Sequence, residues 1–307
     1  MSAIERYTLR ELKPLIQNGA TFRLFKPLYM NGQVLFNIEK ILTVKDIERL
    51  EGKIYAPIEV VRAVEHKSDD TSRSVIIDYC IKILKASKLF HYDESRHLDF
   101  TLRKETEKLF SGILSNSPHI AEKLEDILKF SKKLFIHSVD VAIIASVIEL
   151  SLQQKTKKPN ALRSEELLVG ALLHDVGFLN LPKVLVEKRR VEYDENEKRQ
   201  YQKYVEESCK IAKDLGENVR EKSHLIIAQH QERLTGTGWP HKLKGKMIEP
   251  MAMIVGLADE FDLVMSRETV QAQNRSASEA MSRFSRYGSF IGHDIVDAFY
   301  NAFRYLR

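Results

Sequence analysis

Along the chain the spacing of apolar positions changes character once, near residue 65. Before it, short apolar runs such as Phe22-Arg23-Leu24-Phe25, Val34-Leu35-Phe36 and Ile54-Tyr55-Ala56 alternate with Asn18-Gly19, Asn31-Gly32 and Glu51-Gly52. Such pairs are turn signals between strands. Thr43 to Leu50 reads as a short helix, with Thr43 as N-cap and Asp46 completing a capping-box-like pattern. From about residue 70 the apolar positions recur three and four apart, as on one face of a helix. The pattern predicts helices over Ser74 to Leu89, Phe100 to Leu114, His119 to Ser131, Phe135 to Gln154 and Glu165 to Leu173. Further helices are expected over Tyr201 to Leu215, Val219 to Glu232, Pro250 to Met265, Ala277 to Tyr287 and Asp294 to Tyr300. The charged stretch Glu187 to Lys203 reads as a solvated helix or loop and not as a binding surface. The expected architecture is an α+β N-terminal module followed by an all-α helical bundle.

Composition narrows the class only slightly. The 307 residues are 43% hydrophobic and 30% charged, ordinary for a soluble globular protein. A net charge of +5 and a pI near 8.9 favour an anionic ligand mildly and give no DNA-binding footprint. Cys80 and Cys209 lie far apart and follow no CxxC spacing, which fits a reducing compartment. Met1 to Lys13 lacks the apolar core of a secretory signal, and the run Val141 to Ile148 is short for a bilayer. A cytoplasmic protein without a membrane span is expected.

The candidate chemistry centres on His174-Asp175, the chain's only adjacent pair of this kind. It ends the apolar helix Glu165 to Leu173, whose Leu167, Leu168, Ala171 and Leu172 share one face, and Gly177 is expected to stop the helix in a left-handed conformation. A charge at such a buried end is costly without a partner. A divalent metal would be one partner, since imidazole offers a neutral nitrogen and a carboxylate can bridge two cations. A buried His-Asp hydrogen bond would leave the same two letters. His137, His230 and Asp259 each stand in or beside other apolar helical runs. Singly, each is more often a satisfied core or surface residue than a ligand. Jointly they offer three imidazoles and two carboxylates from four helices, which is how helical bundles build metal sites. The absence of cysteine suits iron, manganese or zinc in a reactive site better than structural zinc.

In this order His137, His174-Asp175, His230 and Asp259 resemble the HD superfamily of metal-dependent phosphohydrolases. The stretch Leu173-His174-Asp175-Val176-Gly177 with Leu181-Pro182, then His230-Gln231-Glu232-Arg233 leading into Gly236-Thr237-Gly238-Trp239-Pro240, is similar to the HD-GYP family. Leu243-Lys244-Gly245 and Ala258-Asp259-Glu260-Phe261-Asp262 fall where that family carries further motifs. The resemblance spans roughly residues 130 to 307. It implies a bacterial signalling phosphodiesterase that hydrolyses cyclic di-GMP at two divalent metal ions, iron favoured, with manganese or zinc as alternatives. Asp175 would be catalytic and bridge both ions. His137, His174 and Asp259 would complete one ion's shell and His230 the other's, with Gln231 and Tyr204 in reach of the second. Lys244 and Trp239 would face substrate. GGDEF-type signalling proteins are the partners the family suggests, through the loop that here carries Trp239.

Several positions depart from the family pattern. Phe178 stands where a lysine is usual, Gln231 and Tyr204 replace histidines, Trp239 replaces the signature tyrosine, and Met253 replaces an arginine. Lys133 takes the place of a glutamate found in three-metal members. The expectation is therefore a phosphodiesterase of reduced activity. The alternatives are a degenerate module that binds metal, nucleotide or a partner without efficient turnover, and a generic HD phosphohydrolase of another phosphoester. The expected domains are an N-terminal regulatory or sensory module with a helical linker over 1–125 and the metal-binding helical domain over 126–307.

Overall fold

The computed structural model describes residues 4–18, 20–26, 28–30, 33–36, 42–63, 70–86, 97–265 and 277–303. It divides into two compact units, Met1–Asp69 and Asp70–Arg307.

In the first unit β1 (Ile4–Tyr7), α1 (Leu9–Gln17), β2 (Thr21–Leu24), β3 (Leu28–Met30), β4 (Gln33–Phe36), α2 (Val44–Leu50) and β5 (Ile58–Ala63) follow one another. An antiparallel sheet of order β1-β5-β2 pairs Tyr7 with Ile58 and Thr21 with Ala63, and β3-β4 form a separate hairpin. The period of two is visible on β5. Ile58 and Val60 are buried, while Glu59 between them pairs with Arg6 and Lys26 on the other face. The helices cover the apolar side, with Leu9, Leu12, Ile47 and Leu50 joining Phe22 and Leu24 in one core. At α2 the expected capping box is present: Asp46 N donates to Thr43 Oγ1 at 3.2 Å and Thr43 N to Asp46 Oδ2 at 3.0 Å.

Two features of this unit differ from the sequence reading. No strand forms over Ile54 to Ala56. The amides of Lys53 and Ile54 both return to the Leu50 carbonyl around Gly52, at φ +76°, leaving Tyr55 exposed. Pairing begins only after Pro57, which has no N–H to donate. Conversely β1 and α1 were not legible, because β1 is four residues long and Pro14 interrupts the helical pattern of α1. The turn signals at Gly19 and Asn31-Gly32 lie outside the described residues.

The second unit contains α3 (Asp70–Ala86), α4 (His97–Asn116), α5 (Pro118–Phe130), α6 (Lys132–Thr156) and α7 (Ala161–Leu173). After a 3-10 turn at Val176–Asn180 come α8 (Val184–Glu187), α9 (Glu195–Tyr201), α10 (Tyr204–Asp214) and α11 (Glu221–Gln229). The helices α12 (Pro250–Met265), α13 (Ala277–Phe284), α14 (Gly288–Ile291) and α15 (His293–Ala302) close the bundle. The units part at 69/70 and not near 125, because α3 and α4 place Ile76, Cys80, Leu84, Leu102 and Phe110 in the bundle's own core. At the centre runs α6, packed on α7, α12 and α15, with Val141 to Ile148 buried throughout. By length and composition this 25-residue helix could cross a membrane, yet its most apolar window is 72% buried within the unit, as in a core helix. Both cysteines are free.

Gly177 serves a purpose the sequence did not reveal. It is absent from the positive-φ positions and lies within the 3-10 turn, while α7 ends at His174 in right-handed conformation. A Cβ on Gly177 would collide with the Tyr204 carbonyl and the Ser208 amide. The glycine thus permits α10 to lie against the turn, where Gly177 N donates to Ser208 Oγ at 2.8 Å. Close approach, and not backbone handedness, requires it here.

Candidate metal centre

Four helices deliver the site. His137 comes from the first turns of α6, whose start is capped by Ser131. His174 and His230 occupy equivalent positions, each the C-cap of an apolar helix, α7 and α11. In both, Nδ1 donates to the carbonyl three residues back: His174 to Ala171 at 2.7 Å and His230 to Ile227 at 2.9 Å. A carbonyl can only accept, so in each ring the proton is on Nδ1 and the lone pair on Nε2, which faces the bundle interior. Asp175 follows directly, and Asp259 arrives from α12. Gly256, one turn earlier on α12, admits that helix against the His230 carbonyl, where any Cβ would collide.

The donor atoms converge. His137 Nε2 lies 3.4 Å from Asp175 Oδ2 and 3.3 Å from Asp259 Oδ1. His174 Nε2 is 3.5 Å from Asp175 Oδ2, and His230 Nε2 is 4.0 Å from Asp175 Oδ1. Two overlapping groups, His137 with His174 and Asp259, and His174 with Asp175 and His230, have ligand atoms close enough to hold an ion. The buried atoms His137 Nε2, His174 Nε2, Asp175 Oδ1 and Asp259 Oδ1 have no hydrogen-bond partner among the described residues. Unsatisfied buried polar atoms are rare and costly. Four of them, from imidazoles and carboxylates in two overlapping groups, are a donor set suited to a divalent cation. The residues fit the metal that the sequence pattern implies.

Electrostatics agree with a charge-dense pocket. Burial opposes ionisation of His137, yet Asp175, Asp259 and Asp262 outweigh it and hold the imidazole well above its ordinary range. Burial would raise Asp175 and Asp259, but the imidazoles of His174 and His137 depress Asp175, and His137 with Arg190 depresses Asp259. His230 is different. Burial, and then the neighbouring His174, push it down to about 4, so the ring is neutral.

The remaining predicted residues divide into two groups. Gln231 Nε2 donates to Asp259 Oδ2 at 2.7 Å, which fixes that carboxylate. The Tyr204 hydroxyl lies 2.9 Å from His230 Nε2 and donates to it, since Nδ1 holds that ring's proton. Burial keeps the phenol protonated, well above its usual range. The Tyr204 ring stacks on Phe178 with centroids 4.7 Å apart, and Trp239 meets its edge at 5.4 Å. Lys244 is not brought into this group. It is exposed on its loop, with its stem lying over Gly236. Met253 is core and Lys133 donates to the Val186 carbonyl at 2.9 Å.

Three residues escaped the sequence reading. Asp262 Oδ2 sits 2.7 Å from His137 Nδ1, a carboxylate behind a ligand histidine that orients the ring. Its signal was the Asp259-x-x-Asp262 spacing, which puts both carboxylates on one helix face. Asp140, one turn after His137, is pushed up to about 7 by burial and by the charge of Asp262. Arg190 carries no sequence signal, because it lies inside the charged stretch read as solvated. All three line a cavity of about 460 Å³ together with His137, Asp175 and Phe178.

With this geometry in place, the relatives can be compared. The family model of the HD domain matches residues 113–290, and the chain belongs to that family. Over 146 residues it is 32% identical to a cyclic di-GMP phosphodiesterase of Borreliella burgdorferi, covering 47% of this chain and 36% of that protein. Over 171 residues it is 25% identical to a cyclic di-GMP phosphodiesterase of Pseudomonas aeruginosa, covering 55% and 39% respectively. Its homology is thus with proteins named as cyclic di-GMP phosphodiesterases, and the chain spans less than half the length of these curated relatives. An HDG"Y"P protein from Bdellovibrio bacteriovorus aligns over 99% of this chain and 100% of its own, at 15% identity and a TM-score of 0.48.

Proposed function

We propose that the second unit is a metal-dependent phosphodiesterase for a cyclic dinucleotide, with cyclic di-GMP the favoured substrate and turnover slow. The observation that carries this reading is the convergence of four unsatisfied buried donor atoms in an HD-family bundle. The names of the homologous relatives supply the substrate class. In this reading His137, His174, Asp175 and Asp259 hold one divalent ion, iron favoured. A second would share Asp175 and take His230. Bound metal supplies Lewis acidity toward the phosphoryl oxygen and an acidified water. The chain's own residues do the rest. Asp262 holds the His137 ring in register and Gln231 holds Asp259, so the ligands meet the ion without reorganising. Asp175 carries the negative charge that both sites use. The second site is the weaker, because the Tyr204 hydroxyl occupies the lone pair that His230 would offer. Phe178 provides no proton for the leaving oxygen, a contribution typically worth ~10²–10⁴-fold. Cytoplasmic location and docking of GGDEF-type partners through the Trp239 loop belong to the same reading.

A second reading has its own observation. Phe178, stacked on Tyr204, puts an apolar ring where acid assistance would act, which suits a module that binds the nucleotide without efficient turnover. A product assay for linear pGpG, at matched iron or manganese loading with elemental analysis, separates the two. Slow but metal-dependent product formation supports the enzyme. Nucleotide binding without product supports the binding module.

A further inference from the structure

Within the charged stretch after α8 the cations have different fates. Lys188 Nζ pairs with Glu197 at 2.7 Å, and Arg189 pairs with Glu192. Arg190, which opens the 3-10 turn Arg190–Glu192, turns inward and lines the cavity beside His137 and Asp175. Its guanidinium carbon lies 4.8 Å from the centroid of the Tyr201 ring. Among the described residues no carboxylate stands within ion-pair distance of it. The groups its charge feels are Tyr201, Asp259, Tyr204 and Asp175, in that order.

A half-buried guanidinium wants acceptors, and an aromatic face satisfies only its plane. The edge N–H groups of a stacked guanidinium stay available, and their fork matches phosphate oxygens two at a time. Of the lysines that line the same cavity, Lys133 donates to the Val186 carbonyl and Lys188 pairs with Glu197, and Phe178 stands where the family resemblance calls for another. We propose that Arg190 is a phosphate-binding residue of this cavity, held on Tyr201 and supplying from a different segment the cation that Phe178 does not. The inference rests on the phosphodiesterase reading for its substrate, but not for its ligand chemistry, which is that of any phosphate.

The experiment is calorimetric binding of cyclic di-GMP and, separately, inorganic phosphate to the full chain loaded with manganese. Parent, Arg190→Gln and Arg190→Lys are compared, with metal content and thermal midpoint measured for each. Loss of a charge-assisted contact should weaken both ligands about 10- to 100-fold in Arg190→Gln, with metal content unchanged. Arg190→Lys, which keeps the charge but not the fork, should fall between. Equal affinities in parent and Arg190→Gln would overturn the proposal. So would metal loss in step with ligand loss, which would make Arg190 a counter-charge for the acidic ligands. If Arg190→Gln does not fold, Arg190→Lys decides: several-fold weaker phosphate binding at full metal content supports the contact, and unchanged affinity overturns it. A parent that binds phosphate through Arg190 but ignores cyclic di-GMP would sink the substrate reading and leave Arg190 standing.

Discussion

The hydroxyl of Tyr204 rests 2.9 Å from Nε2 of His230, so the imidazole proposed for a second ion has its lone pair engaged by a phenol. Both rings are fully buried, and Tyr204 is clamped between Phe178 and Trp239. The hydroxyl cannot swing aside without breaking that packing. Tyr204→Phe should release the lone pair at a stability cost of about 1 kcal/mol. Metal titration should then show a tighter second binding event, which His230→Ala removes while sparing the first. Identical titrations for parent and Tyr204→Phe would mean that the hydroxyl does not compete.

Asp175→Ala should lose both ions. Asp175 lies 3.4 Å from His137, 3.5 Å from His174 and 4.0 Å from His230, within reach of either shell. Elemental analysis of the purified variant provides the check, and a full metal complement would overturn the bridging role.

Asp262→Ala removes no ligand but frees Nδ1 of His137. Outer carboxylates of this type are worth about 10- to 100-fold in metal affinity. A competition titration with a chelator should register that loss at an almost unchanged thermal midpoint of the metal-free protein. Affinity equal to the parent's would reduce Asp262 to a bystander.

Asp140 links stability to pH in the metal-free protein. Its carboxyl is pushed up to about 7 in the fold, chiefly by burial and next by Asp262, with His137 opposing. The unfolded chain has an ordinary value near ~4. Between the two the folded state keeps a proton that the unfolded state has released, so stability falls as pH rises from about 4 to about 7. Asp140→Asn should abolish that slope. Denaturant unfolding in chelator should find the variant about 1–3 kcal/mol more stable than the parent at pH 8 and close to it at pH 4. Parallel pH profiles would contradict the assignment.

Gly177→Ala tests the close approach of α10. The added methyl meets backbone atoms of Tyr204 and Ser208, which cannot yield as a side-chain tip could. Overpacking of this kind costs about 1–3 kcal/mol. Because Tyr204 starts α10, a fall in thermal midpoint should come with altered metal binding at the His230 side. A midpoint equal to the parent's would show that the turn can relax.

Local pattern determined much of this protein. The three-and-four spacing of apolar residues placed α12 at Pro250–Met265 residue for residue, and the Thr43/Asp46 pair gave the start of α2, because caps and helical faces are short-range features. The order of His137, His174-Asp175, His230 and Asp259 was legible because ligand-type residues are conspicuous in apolar helices. Tertiary structure decided what each neighbour does. Gln231 and Tyr204 could be named as candidate ligands of a second ion, but only packing turned one amide onto Asp259 and one hydroxyl onto His230. Asp140, Asp262 and Arg190 matter through distances between α6, α12 and the turn after α8, and no spacing in the sequence encodes a distance between separate helices. Gly177 makes the same point: its letter suggested a left-handed stop, and the reason for it lies in a helix some thirty residues away. Charge in a sequence stretch says how many cations it carries; only the fold decides which of them pairs with a carboxylate, as Lys188 and Arg189 do, and which turns onto an aromatic ring, as Arg190 does.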